Sequence, residues 1–93
     1  MSAHKAKTVK VTNRRGLHAR ASAKLVNLVH EIGEDYTIEV EKDGNRVPGT
    51  SIMGIMMLGA AKGDKVTLHV TGDEPLPQLR QLLRLFEDSF GED

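Results

Sequence analysis

The first stretch of the chain with a clear apolar–polar pattern is Lys7–Thr12. Val9 and Val11 fall on one side and Thr8, Lys10 and Thr12 on the other, the period-two pattern of a half-buried strand. Asn13-Arg14-Arg15-Gly16 interrupts it, and Gly16 suits a turn with unusual dihedrals. From Ala19 the period lengthens. Ala21, Leu25, Leu28 and Ile32 form a helical stripe, Ser22, Val26 and Val29 widen it, and Gly33 stands where a helix would stop. Tyr36, Ile38 and Val40 then alternate with Thr37, Glu39 and Glu41, a second strand. Asp43-Gly44 is a hairpin signal, and Pro48 confines the short third strand around Arg46 and Val47 to an end or an edge. Thr50 or Ser51 can cap a short helix from Ile52 to Leu58. Ala60–Asp64 is a loop, Val66, Leu68 and Val70 mark a fourth strand, and Thr71-Gly72-Asp73 reads as a turn. Leu76, Leu79, Leu83, Phe86 and Phe90 recur at spacings of three and four, giving a final amphipathic helix with Pro75 near its first turn.

The order is β-α-β-β-α-β-α. Two βαβ-like halves joined by a tight hairpin predict an α+β fold of the split-βαβ kind. The expected product is a four-stranded, mainly antiparallel sheet with three helices on one face. Thr8, Lys10, Thr12, Thr37, Glu39, Glu41 and Thr67 would then line the solvated face. No linker or repeat divides the chain, so residues 1–93 read as one domain. The polar residues 1–6 are expected to form a flexible tail.

Composition narrows the function. Thirteen basic and thirteen acidic side chains give a formal net charge of zero, without the basic excess expected of a nucleic-acid binder. With no cysteine, disulfides, thiolate catalysis and cysteine-held metal are excluded. No apolar run approaches the ~20 residues that span a bilayer, and residues 1–7 lack an apolar signal-peptide core. A soluble cytoplasmic protein is expected. There is no G-x-x-x-x-G-K-[ST] loop, no nucleophile with an evident base and no metal-ligand spacing. No cofactor or metal is therefore expected, and any phosphoryl group must be brought by a donor. Of the four histidines, His4 lies in the polar tail and reads as incidental. His30 sits near a helix end, where a cation is mildly favourable, and His69 alternates with core residues toward solvent.

His18 has more informative neighbours. Gly16-Leu17-His18-Ala19-Arg20 stands between the first strand and the first helix. A helix start presents unpaired N–H groups and a positive dipole end, a natural seat for an anion. An imidazole there is a nitrogen nucleophile, and an arginine two residues on offers a fork of donors for phosphate oxygens. The plainer reading is a helix-capping surface histidine. A second cluster, Gly49-Thr50-Ser51-Ile52-Met53-Gly54, places Ser51 at a helix start, where a cap is expected and a phosphoserine would also be tolerated. The following Ile-Met-Gly-Ile-Met-Met-Leu helix is apolar almost all round. Ile52, Met53, Met56 and Met57 are either buried under the last helix or left exposed as an adaptable docking patch.

These residues together resemble the HPr family, the histidine-containing phosphocarrier proteins of the bacterial phosphoenolpyruvate-dependent phosphotransferase system. GLHAR resembles the active-site signature of that family. Ser51 to Gly59 resembles its regulatory-serine signature, thirty-three residues on from His18, and the resemblance runs from about Lys7 to Phe90. It implies an open-faced β-sandwich. It implies that His18 is phosphorylated at Nδ1 by enzyme I charged with phosphoenolpyruvate, and passes the group to an EIIA-type protein. The protein would be a relay intermediate and not an enzyme. Arg20 would pair with the phosphoryl group, and Ser51 would be the target of HPr kinase/phosphorylase. The chain departs from the family pattern at Ala21, where proline commonly follows the arginine. Alanine there keeps the helix and adds a donor.

The expected site is shallow: the Ala19 and Arg20 amides and the Arg20 side chain hold the group, while Leu17, Ile52, Met53 and Met56 dock partners and exclude water. The carrier is expected to act as a monomer and without nucleic acid. Sugar transport and a nitrogen-type regulatory relay are both open. Two other classes compete: a small module binding ligands or RNA on its open sheet face, and a structural domain in which His18 is only a cap.

Overall fold

The structure is a computed structural model and describes residues 2–92. Its elements are β1 (Ser2–Lys10), α1 (Ala19–Ile32), β2 (Thr37–Lys42), β3 (Asn45–Pro48), α2 (Ile52–Met57), β4 (Lys65–Asp73), α3 (Leu76–Glu87) and a closing 3-10 turn (Ser89–Gly91). The sheet order is β1-β4-β2-β3, and all three pairings are antiparallel. The helices cover one face, giving the expected open-faced sandwich. Ile38, Val40, Val66, Leu68 and Val70 point into the core beneath them, with Leu25, Val29, Ile55, Leu79, Leu82 and Phe86 on the helix side. The opposite face carries Thr8 hydrogen-bonded to Thr67 and Glu39 paired with Arg46. Among the described residues no helix is long and apolar enough to cross a membrane.

Local chemistry explains the joints. Asp43 and Gly44 both have positive φ, 52° and 84°, as a two-residue turn matching the twist of β2 and β3 requires. Val47 and Pro48 close the edge strand, where a missing N–H removes no ladder bond.

Three expectations are corrected. Residues 2–6 are not a flexible tail. Ser2–Ala6 is strand, paired antiparallel with His69–Asp73, while Met1 lies outside the described residues. Thr71-Gly72-Asp73 is not a turn but the end of β4, because β1 pairs with it as far as Asp73 and β2 as far as Thr71. Gly72 is there for contact: a Cβ would come within 2.4 Å of the Tyr36 ring, whose hydroxyl donates to the Asp73 carbonyl. Finally, α3 stops at Glu87, short of Phe90. Ser89, Phe90 and Gly91 all have positive φ (51°, 57° and 71°), which reverses the chain and still buries Phe90 edge-on against Phe86. A left-handed conformation at a non-glycine residue costs of order 1–3 kcal/mol, so this reversal is held by its surroundings.

Candidate functional site

The loop between β1 and α1 is built around Gly16 and Asn13. At Gly16 (φ 63°) a Cβ would lie 2.2 Å from the Ala60 carbonyl oxygen, so no larger residue fits. The next amide, on Leu17, donates to that same carbonyl at 2.9 Å. Asn13 is buried. Its Nδ2 donates to the Gly16 carbonyl at 2.7 Å, a local closure of the kind asparagine favours in turns. Ser22 donates its hydroxyl to the Leu17 carbonyl at 3.0 Å, tying the loop to the first turn of α1.

His18 is therefore delivered to a fixed place. It is the N-cap of α1, in extended backbone (φ −74°, ψ −177°), and its carbonyl accepts from Ser22 N–H at 2.9 Å. Its Nδ1 accepts from the Arg20 backbone N–H at 3.3 Å, so the ring takes the role that a Ser or Asp oxygen usually plays. The plainer sequence reading holds, since the histidine is a cap, and that cap sets its Nδ1 at the positive end of the helix. Ala19 and Arg20 are exposed beside it. Among the described residues no carboxylate pairs with the Arg20 guanidinium, which leaves its fork of donors available. Ala21 is fully buried; its methyl is part of the core, and its N–H is one that a proline would lack.

The other ring nitrogen carries a contact that sequence reasoning missed. Nε2 lies 2.8 Å from Oε2 of Glu92, and the Asn13 Nδ2 holds the other oxygen, Oε1, at 3.1 Å. These two bonds, Asn13 first and His18 second, hold the Glu92 carboxyl below the usual carboxylate range. The reversal after α3 brings Glu92 here. Thr12 bonds Ser89 at 2.7 Å, and Lys24 donates to the Phe90 carbonyl. An asparagine at the start of a turn ending in glycine was a local signal for Asn13. Nothing near Glu92 in sequence announced it.

Leu17 does not join the surface. It is buried to 4 % exposure in the core, because its amide is pinned to Ala60, so the expected docking role is corrected for this residue. Ser51 caps α2, accepting from Gly54 N–H at 2.9 Å. A Cβ at position 54 would crowd the same oxygen. Of the short helix only Ile55 is fully buried. Ile52, Met53, Met56 and Met57 are exposed, Met53 and Met57 at 68 % and 80 %, and α2 packs against α1.

His4 and His69 depart from expectation. His69 is nearly buried, donating from Nε2 to Glu41 at 2.6 Å, and His4 Nε2 lies 3.0 Å from His69 Nδ1. Register places His4 opposite Thr71, diagonal to His69 across the β1–β4 pair.

Comparisons with known proteins agree with this architecture. The family described as PTS HPr component phosphorylation site matches residues 5–88. The Phosphocarrier protein HPr of Xylella fastidiosa is 39 % identical over 83 residues, covering 89 % of this chain and 91 % of that protein. The Phosphocarrier protein NPr of Escherichia coli K12 is 33 % identical over 87 residues, covering 92 % and 94 %. A crystal structure of HPr from Thermoanaerobacter tengcongensis superposes with a TM-score of 0.87 at 39 % identity, covering 96 % of this chain and 98 % of that one.

Proposed function

The chain belongs to the HPr family of phosphocarrier proteins of the phosphotransferase system, and from that premise we propose that His18 Nδ1 is its phosphoryl acceptor. The donor in this reading is enzyme I charged with phosphoenolpyruvate, and the recipient is a histidine on an EIIA-type protein, in the cytoplasm. The observation that carries the reading is the placement of Nδ1: an unprotonated ring nitrogen at the α1 N-terminus, facing one backbone amide and an open surface. A phosphoryl group on Nδ1 would displace the ring from the Arg20 amide and take that amide itself, with the Ala19 amide and the Arg20 guanidinium within the same turn. The site is shallow. It orients the group and offsets its charge without enclosing it, as a carrier that must release its cargo requires.

The exposed Ile52, Met53 and Met56 form the docking patch in this reading. Flexible thioethers adapt to more than one partner surface, and they cover the reacting atoms from water during transfer. Ser51, at the rim of that patch, is the target of HPr kinase/phosphorylase. A phosphate there keeps the helix start, since it is an anion at an N-cap, and adds nearly two negative charges to the docking surface.

Incubation with enzyme I and labelled phosphoenolpyruvate is expected to give an acid-labile, base-stable phosphoprotein. Label retained by His18→Ala would sink the assignment. With the kinase and ATP, label is expected on Ser51 and absent from Ser51→Ala. Ser51→Asp is expected to slow charging of His18, and an unchanged rate would argue against coupling through charge.

A further inference from the structure

Glu92 is held too deliberately to be a chance contact. Its segment leaves α3 through Ser89, Phe90 and Gly91, all with positive φ, a route that only strong anchors maintain. Phe90 is the buried anchor, Lys24 grips its carbonyl, and Thr12 holds Ser89. Asn13 takes Oε1, which leaves Oε2 aimed at the imidazole. The two side chains are each about four-fifths covered, at 19 % and 17 % exposure.

We propose that Glu92 is a positioning residue for phosphoryl transfer: its carboxylate keeps a hydrogen on His18 Nε2, in the free and in the phosphorylated carrier. The role rests on the reading of His18 as acceptor. A carboxylate can only accept, so the ring must donate from Nε2, and Nδ1 is then the nitrogen with the free electron pair. On charging, that pair forms the Nδ1–P bond while the donor's bond to phosphorus breaks and its electrons stay with the donor. Nε2 keeps its hydrogen, so the ring becomes a cation beside an anion. On discharge, the acceptor nucleophile attacks phosphorus and the Nδ1–P electrons return to the ring. It leaves as neutral imidazole with Nε2–H still in place, and no proton has to arrive. A phosphorylated ring that had lost that hydrogen would have to leave as imidazolate, a far poorer leaving group. The neighbouring negative charge favours the cationic form, and the depressed Glu92 carboxyl keeps that charge present throughout the neutral range. The arrangement follows the logic of a carboxylate fixing the tautomer of a catalytic imidazole, applied here to a leaving group.

The test uses Glu92→Gln in the full chain, which keeps the shape and removes the charge. Wild type and variant are charged by enzyme I with labelled phosphoenolpyruvate and discharged to an EIIA-type acceptor between pH 6 and 9. The phosphorylated ring is titrated by NMR in parallel. The Nε2 titration of the variant is expected to fall by about one pH unit, with discharge slowed about tenfold at pH 8 and nearly unchanged at pH 6. Coincident titrations and pH profiles would overturn the role of Glu92 and leave His18 as acceptor. A loss of rate equal at every pH would overturn it too, by assigning Glu92 a structural part only. Failure of wild-type His18 to take label would overturn the acceptor reading, and this role with it.

Discussion

Among the described residues two histidines lie against carboxylates, and one of the two has a nitrogen to spare. His69 donates from Nε2 to Glu41, and its Nδ1 then accepts from His4 Nε2–H; the two rings lie within 19° of parallel. Both nitrogens are committed, inside a sheet, to side chains on strands either side. His18 also gives one nitrogen to a carboxylate, but its other faces a backbone amide at 3.3 Å and the protein surface. The 3.3 Å bond lies beyond the usual range for a hydrogen bond between amide and acceptor, so an incoming group displaces little. A sheet consumes polar capacity laterally, whereas a helix start leaves its donors pointing outward. The same pair of residue types thus makes a closed structural tie in one place and, in the other, leaves a ring nitrogen at the surface for the proposed phosphoryl transfer.

Exchange of the two alanine variants is the sharpest break of this comparison. His18→Ala is expected to abolish phosphoryl acceptance from enzyme I, while His69→Ala retains it. Label lost equally from both would mean that the sheet cluster takes part in transfer.

The next largest effect is expected at the anchor that aims Glu92. Phe90→Ala removes a fully buried aromatic ring and its contact with Phe86, and should destabilise the fold by about 3–5 kcal/mol. Chemical denaturation measures this. A variant within 1 kcal/mol of wild type would show that the chain reversal at residues 89–91 is not held by Phe90.

Within the sheet cluster the two histidines should differ in size of effect. His69→Ala strips a nearly buried ring and leaves Glu41 without its donor, for about 1–3 kcal/mol. His4 is exposed, and its loss removes one hydrogen bond, about 0.5–1.5 kcal/mol. Equal losses would mean that the chain His4–His69–Glu41 acts as one unit, which a double-mutant cycle would then apportion.

Much of the fold was legible because its signals are local. Alternation in Val66-Leu68-Val70, positive-φ residues at Asp43-Gly44 and the helical stripe from Ala21 to Ile32 each need only a few neighbours. What was missed depends on partners far along the chain. Ser2–Ala6 has no apolar period of its own and becomes strand because β4 offers an edge. Leu17 looks like a docking residue until the carbonyl of Ala60 is known to hold its amide. The candidate histidine stood out by its motif, but the Asn13–Glu92–His18 chain links residues 79 and 74 positions apart, beyond any pattern in sequence. Phe90 kept its apolar signal while the helix that was expected to carry it ended three residues earlier.

The smallest effect concerns acid. The Glu92 carboxyl is held below the ordinary value of 4.5, first by Asn13 and then by His18. A folded-state value lower than the unfolded one stabilises the fold above the unfolded value, and that contribution is lost as pH falls through the folded value. The Asn13 Nδ2 resonances, which report the bond to Glu92 Oε1, should therefore hold steady down to about pH 4.5 and move below it. In Glu92→Gln the same resonances should show no such step, since no carboxyl remains to titrate. A step of equal size in the variant would assign the movement to another acid. It would also remove the carboxylate from the account of how His18 keeps its Nε2 hydrogen.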